Sequence, residues 1–522
     1  MKKIIVTLVI SYLHFYIANA QNKYDYVWHI GYSFVRTNPD RAPLFGFQLN
    51  FNSGKVKIDT MKRNYDFQET VQSTCDSSGK FLFSSNGCKI FNKNFEVMEN
   101  GDDLNQVPQS TFSNACIVTV PKSEIIKNGA LSLPIPDSKD TLFAYFRTEI
   151  NKVIVARQNL LPLNLYYSTI NMKANNGLGK VIIKNQVIVR DTLDGGDINA
   201  VKHSNGKDWW VMTRKFISDK FFTFRVSANG IDSSFTQLVG QPTEPRGQGS
   251  GQANFSSNGL KYAYFTSRDQ LMLYDFNRNT GKLSNFRRIN IPFELNPTDL
   301  VFAGLAFSGN SKFLYVFTAS QIFQVDVEAA DIQSNIFEVA RYDAVAAPYA
   351  YPTAGWIAPD CKIYFVSGNG LPYFGYIRYP DRKGTACQVM QGAIKTPFTS
   401  AIVGGLPNNP NYRLGVIPTH PCDSTIDFRV ATTETLLPKV NFVLFPNPAM
   451  NELNIDFDPI NGETQAEITL YNLLGSKVGR QKLDLINTPL SINVQNLPSG
   501  MYTAVLQVKG RSPAAEKFVI VR

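Results

Sequence analysis

The chain has 522 residues with 43% hydrophobic, 12% aromatic and only 18% charged side chains, and a formal charge of +10. That length supports one large core plus a small domain. With 37 Phe and 23 Tyr, the composition excludes a disordered chain and favours strands.

The chain starts with Lys2 and Lys3, followed by an apolar run from Ile4 to Ile17 and the small residues of Ala18-Asn19-Ala20. This pattern predicts a cleaved secretory signal over residues 1–20, with Gln21 as the first mature residue. The run is short and is broken by Ser11 and His14, unlike a membrane anchor. No later stretch approaches the roughly 18–20 apolar residues that span a bilayer. The expected route is export through the periplasm, and no transmembrane span is expected after signal removal. The first twenty residues carry two lysines and no acid, which leaves +8 on the rest. Residues 441–522 hold seven acidic and seven basic side chains, so the excess lies on residues 21–440. It favours an anionic partner, or is simply a solvated basic surface, since no compact Lys/Arg cluster stands out; nucleic acid is not expected.

Residues 21–438 read as repeated strand units. Phe255-Ser-Ser-Asn-Gly-Leu-Lys-Tyr-Ala-Tyr-Phe-Thr aligns with Phe307-Ser-Gly-Asn-Ser-Lys-Phe-Leu-Tyr-Val-Phe-Thr at an offset of 52. His203-Ser204 before Trp209-Trp210 lies one such period earlier, and Ala358-Pro-Asp-Cys lies 51 residues later. Less regular units start near Pro43, Cys75 and Ser138. Each has a small strand, a polar turn, an aromatic strand and a returning hairpin. A period near 50 with about four short strands per unit predicts a β-propeller of about seven blades. Its loops would surround the mouth of a central channel, the expected ligand position. Residues 93–112 and 241–252 read as long loops, either specificity loops or plain insertions.

Cys75, Cys88, Cys116, Cys361, Cys387 and Cys422 all lie in this region, and in an exported protein they are candidate disulfide cysteines. Fifteen pairings are open. Nearest-neighbour pairing gives Cys75–Cys88 and Cys361–Cys387, and leaves Cys116 with Cys422. There is no Cys-x-x-Cys and only His29, His203 and His420 follow the signal, so neither a metal site nor a cofactor is expected.

Nor do catalytic motifs stand out. There is no Gly-x-Ser-x-Gly, His-Glu-x-x-His or phosphate loop, and no catalytic residue is assigned. Asp102, Asp103, Asp194, Asp197, Asp326 and Asp360 could in principle pair as glycosidase acids, but each reads more simply as a turn or loop acid. Trp209 and Trp210 point to opposite faces of one strand, so at most one could stack on a sugar, and core packing is the simpler role for both.

Beyond about residue 439 the pattern changes. Leu453, Ile455 and Phe457 alternate with Asn454 and Asp456. Leu490, Ile492 and Val494 alternate, as do Tyr502, Ala504, Leu506 and Val508. About seven such strands predict a small immunoglobulin-like β-sandwich. Pro446 and Pro448 suit an edge segment that donates no ladder bond. The opening Phe445-Pro446-Asn447-Pro448-Ala449, the Tyr471-Asn472-Leu473-Leu474-Gly475 and Leu497-Pro498-Ser499-Gly500-Met501-Tyr502 segments, and the basic-aromatic Lys517-Phe518 end resemble the C-terminal sorting domain (type A) of the type IX secretion system of Bacteroidota. The final Val-Ile-Val-Arg departs from that family's lysine-rich ending. The resemblance implies that residues 439–522 engage the secretion machinery and deliver the chain to the outer-membrane surface or the medium. It singles out Pro446, Asn447, Pro448, Gly475, Gly500, Tyr502, Lys517 and Phe518. Gly405-Leu-Pro-Asn-Asn-Pro-Asn-Tyr-Arg-Leu-Gly415, with Asn86-Gly87-Cys88 and Asn100-Gly101-Asp102, is similar to segments of secreted propeller proteins with the same tail, which bring no catalytic residues. The whole is thus expected to be all-β, and the propeller to bind a polysaccharide or protein ligand outside the cell. The alternative expectation is an extracellular hydrolase or lyase at the channel mouth.

Overall fold

A computed structural model describes residues 22–33, 44–105, 126–154, 159–243, 251–293, 303–342, 351–396, 400–401, 405–423, 442–457, 465–484, 490–508 and 513–522, with Cys116, and without positions 55, 64, 369–370 and 474. The expected signal, and parts of the loops at 93–112 and 241–252, lie outside the described residues. The chain divides into two units, Met1–Ile426 and Asp427–Arg522.

The repeat has a local cause. In blade 5 the Ser256 hydroxyl donates to Asn258 Oδ1 at 2.7 Å and accepts the Lys261 backbone N–H at 2.9 Å. In blade 6 Ser308 does the same with Asn310 at 2.7 Å and Phe313 N–H at 3.0 Å. Serine and asparagine thus close the turn between the first two strands of each unit, where the chain must reverse within a few residues. The aromatic strand that follows is buried throughout: Phe313–Thr318 carries no exposed residue.

Seven such sheets form the first unit among the described residues. Five have four strands in the order of the sequence, with adjacent strands antiparallel. Blade 4 holds Asn199–Lys202, Trp209–Arg214, Lys220–Ser227 and Gly230–Leu238, and blade 5 holds Gln252–Phe255, Lys261–Thr266, Gln270–Asn277 and Lys282–Ile289. Blade 6 runs from Ala303–Phe307 to Ile336–Arg341, and blade 7 from Pro352–Ile357 to Val389–Lys395. Blade 3, from Ala130–Pro134 to Lys180–Thr192, also has four strands. Blades 1 and 2 have three: Val27–Ile30, Leu44–Asn50 and Lys57–Arg63, then Gln72–Cys75, Phe81–Ser85 and Ile90–Asn92.

The first strands of successive blades lie side by side around an axis. Trp209 Nε1 of blade 4 donates to the Pro134 carbonyl of blade 3 at 3.2 Å. The ring closes where Trp28 of blade 1 meets Tyr364 of blade 7, their rings 6.0 Å apart, and where Tyr32–Ser33 pairs with Ser400–Ala401. The first unit is therefore a seven-bladed β-propeller. Its inner strands are buried along their whole length, whereas the outer Gly230–Leu238 is mostly exposed, because each inner strand is covered by neighbours on both faces. Close approach explains the small inner residues: a Cβ on Gly304 would lie 2.5 Å from the Thr353 carbonyl oxygen of the next blade.

The six cysteines do not follow nearest-neighbour pairing. Cys88 is bridged to Cys116 and Cys361 to Cys422, while Cys75 and Cys387 are buried free thiols. Cys75 is buried at the end of the inner strand of blade 2, whereas Cys88 lies in the turn before Ile90–Asn92. The expected Cys75–Cys88, Cys361–Cys387 and Cys116–Cys422 pairs are corrected accordingly.

Among the described residues the second unit is a sandwich of seven strands. Phe442–Phe445, Glu452–Phe457 and Leu490–Asn493 form one sheet; Lys477–Asp484, Gln465–Asn472, Gly500–Val508 and Ala514–Ile520 form the other. The alternating residues Leu453, Ile455, Ile492, Tyr502, Ala504 and Leu506 meet in one core.

Candidate functional site

In the sandwich, the segment after Phe445 turns across the edge of the last strand. Asn447 Oδ1 accepts the Val519 N–H at 2.9 Å, and its Nδ2 donates to the Lys517 carbonyl at 3.2 Å. Ala449 bonds Val519 and Val521 through its backbone, at 2.8 and 3.0 Å. Flanking prolines suit this segment, because the contacts are made by the asparagine side chain and by Ala449 and need no N–H from Pro446 or Pro448. Tyr502 stacks on Phe518 with ring centroids 5.5 Å apart and donates its hydroxyl to the Pro498 carbonyl at 2.8 Å. Gly500 pairs with Ile520. Six of the eight motif residues therefore gather on the strand Ala514–Ile520, and Gly500 starts the strand beside it. Gly475 lies elsewhere, closing a hairpin at φ 76° with its N–H on the Asn472 carbonyl. One participant had no sequence signal: Arg522 donates to the carbonyls of Val494 and Leu497 at 2.9 and 3.0 Å, tying the chain end to the loop before Tyr502. The side chains of Val443, Phe445, Met450, Met501 and Val521 stand exposed around this edge.

In the propeller, the axis is occupied by the protein's own chain. Lys127 Nζ donates to the carbonyls of Ala303 and Thr353 at 3.1 and 3.0 Å, in blades 6 and 7. Its neighbour Asn128 donates to Gly196 and Ala253 at 3.3 and 3.2 Å, at blades 4 and 5. Residues 405–423 then thread past the inner strands. Asn408 Nδ2 reaches the Ala130 and Ile198 carbonyls at 3.1 and 2.9 Å; Asn411 reaches Ser257 at 2.7 Å. Tyr412 donates to the Ser132 carbonyl at 2.8 Å. Arg413 forms a buried bidentate pair with Asp25, at 2.5 and 3.0 Å. Side-chain amides and a lysine from two loops thus satisfy inward carbonyls that an empty channel would leave to water.

Of the acids considered for catalysis, all but Asp103 are held in contacts with other side chains. Asp194 and Asp197 are buried beside Arg214, with Nη2 2.6 Å from Asp194 and Nε 3.6 Å from Asp197. Tyr264 donates to Asp194 at 3.1 Å and Tyr262 donates to Asp197. Burial pushes Asp194 up to about 6 and Asp197 to about 7, against the opposing pull of Arg214; the charge of Asp269 adds to the rise of Asp194, and that of Asp194 to the rise of Asp197. They are buried ion partners at the boundary of blades 4 and 5, not turn acids facing solvent. Asp326 pairs with Lys312 at 3.6 Å, Asp360 with Lys362 at 2.6 Å, and Asp102 with Lys184 at 3.2 Å. Asp103 is exposed in a turn at φ 45°. Both tryptophans are core residues, on opposite faces as their adjacency requires: Trp209 against Tyr412, Trp210 against Phe235. Among the described residues no cluster of three or more His, Cys, Asp or Glu could hold a metal.

Residues 443–521 match the family described as the secretion system C-terminal sorting domain. The tail is a sorting domain. It marks the chain for export by the type IX secretion system, and hence for a place outside the cell, released or attached to the surface. Contact between the sorting domain and the secretion machinery follows from that assignment. Among the described residues no helix is long and apolar enough to cross a membrane. No curated protein matches the chain. Among solved structures, the chain is similar to the β-propeller domain of Cps50 (Swd1) from Myceliophteria thermophila, at 8% identity over 67% of this chain and 94% of that one, TM-score 0.35. It is also similar to PorZ, an essential surface component of the type-IX secretion system of Porphyromonas gingivalis, at 10% identity over 92% of this chain and 69% of that one, TM-score 0.29. A gluconolactonase from Xanthomonas campestris is 7% identical over 65% and 92% respectively, TM-score 0.28.

Proposed function

We propose that the propeller is a binding module that the sorting domain delivers to the cell exterior, where it holds a polysaccharide or protein ligand. The division proposed is a signal at 1–20, the propeller at 21–438 and the sorting domain at 439–522. One observation carries the reading: the axis, where a hydrolytic propeller would converge its acids, is filled by Lys127, Asn128 and residues 405–413. The acids considered for catalysis also lean this way. Asp194 and Asp197 are both buried against one arginine and removed from solvent. Glycoside hydrolysis needs two carboxyl groups flanking an accessible bond, and two buried carboxyls sharing one arginine do not favour it. The basic excess on residues 21–440 supports an acidic partner.

The test incubates the mature full-length chain, disulfides intact, with immobilised polysaccharides and extracellular proteins, scoring retained protein and released products in the same wells. Retention without products is expected, weakening as salt is raised. Product release abolished by Asp194→Asn or Asp197→Asn in a folded protein would instead establish the hydrolase or lyase.

A further inference from the structure

On the face where residues 405–423 leave the axis, a cavity of about 400 Å³ opens beside blade 5. Its walls include Ser204, Asn277, Arg278, Asn279, Ser284 and Val416. Arg278 is only 4% exposed, though it sits near the molecular surface rather than in the deep core. Three carbonyls hold it: Nε donates to Lys202 at 2.9 Å, and Nη2 to His203 and Gly415 at 3.1 and 2.5 Å. None of these is an anion. Among the described residues no carboxylate pairs with this guanidinium, and burial lowers it to about 10 with no acid opposing the shift.

Other cations reinforce the imbalance. Buried Lys202 lies close enough for Arg278 to disfavour its charge, and burial carries it down to about 7. The nearby acid Asp208 is engaged by Arg225 at 2.6 Å and Asn205 at 2.8 Å. Asp275, which also borders the cavity, is neutralised by Lys261 at 3.2 Å and Arg287 at 2.5 Å. A desolvated guanidinium held only by carbonyls retains most of its attraction for an anion; Nε and Nη2 are engaged, so an incoming carboxylate would meet Nη1. The rim adds the hydroxyls of Ser204 and Ser284 and the amides of Asn277 and Asn279, with the exposed aliphatic side chains of Leu260 and Val416 alongside. The turn's own backbone donors are spent: Thr280 and Gly281 both donate to the Asn277 carbonyl. That rim of hydroxyls and amides beside aliphatic side chains suits the hydroxyl groups and apolar face of a sugar ring.

We propose that this cavity is a binding site for an acidic sugar unit of a polysaccharide, its carboxylate on Arg278 and its hydroxyls on the Ser204, Asn277, Asn279 and Ser284 rim. The proposal rests on the reading of the propeller as a binding module and gives that module a place and a ligand class.

The probe is polygalacturonate, with neutral dextran and poly-glutamate as comparators, titrated against the full-length chain by calorimetry. Ser284→Asp and Asn279→Asp place a negative charge on the exposed rim without touching the core; Arg278→Gln removes the guanidinium. Polygalacturonate should bind better than either comparator, and each rim variant should weaken it by about tenfold or more with an unchanged melting temperature. Should Arg278→Gln fail to fold, the two rim variants still decide. Binding of polygalacturonate that both rim variants leave intact overturns this site while sparing the binding reading. Equal or tighter binding of poly-glutamate overturns the sugar assignment. If no probe binds, the proposal fails; the wider binding reading fails separately, if the retention assay finds products or no partner.

Discussion

At the scale of single residues, the boundary of blades 4 and 5 holds the largest electrostatic stake. Arg214 faces Asp194 and Asp197 with all three side chains removed from water. Removing the cation leaves two buried carboxyls, so Arg214→Met should cost about 3–5 kcal/mol near pH 8. At pH 5 the cost should shrink, because the carboxyls can take up protons. Urea denaturation at the two pH values reads the difference; an equal loss at both would mean that the carboxyls are not charged in the folded protein. The parent chain carries a related signature. Both carboxyls sit above the ordinary 3.8, at about 6 and about 7, so the folded state binds protons that the unfolded chain releases. Their contribution to stability is therefore lost as pH rises from about 4 to about 7. Asp197→Asn should flatten the stability profile across that window. A variant profile parallel to the parent's would remove the cluster from any account of pH dependence.

At the scale of elements, the thread of residues 405–423 and the two disulfides hold the ring together. Cys361–Cys422 joins the thread's end to blade 7 across 61 residues. Opening a loop of that size by Cys422→Ser should lower stability by about 2–4 kcal/mol, and proteolysis should then begin in the thread. Peptide mapping without reduction should recover Cys88 linked to Cys116 and Cys361 linked to Cys422. Alkylation of the native protein should label neither Cys75 nor Cys387, since burial pushes both thiols up and shields them; both should react after denaturation. Rapid native labelling of Cys75 would contradict its place on the inner strand of blade 2. The turn motif was legible in Ser256-Ser-Asn258 and Ser308-Gly-Asn310 because serine and asparagine act on backbone within five residues of themselves. The thread was not. Asn408 and Asn411 read as loop residues, and their carbonyl partners on Ala130, Ile198 and Ser257 lie 154 to 278 residues away.

For the whole molecule, the propeller and sorting domain divide activity from address. Deleting residues 443–521 should leave the chain inside the envelope of the producing bacterium, as read by immunoblots of cells and medium. Deleted chain appearing outside at the parental level would show a second export signal. Asn447→Ala should reduce export partially, because it removes two bonds to the last strand while leaving the backbone bonds of Ala449.

The sequence by itself determined the architecture and the address. Strand alternation at Leu453, Ile455, Leu490 and Ile492, the 52-residue repeat, and the Pro-Asn-Pro and Lys-Phe motifs are local or periodic, so each segment carries its own signal. Only the tertiary structure decided the disulfide partners, the burial of Asp194 and Asp197 against Arg214, the filling of the axis, and the uncompensated charge of Arg278. Closing seven blades into a ring brings together residues that are far apart in sequence. Whether an acid finds a base, or a guanidinium meets only carbonyls, depends on what that closure places beside it; Arg278 takes its third carbonyl from Gly415, 137 residues later in the chain.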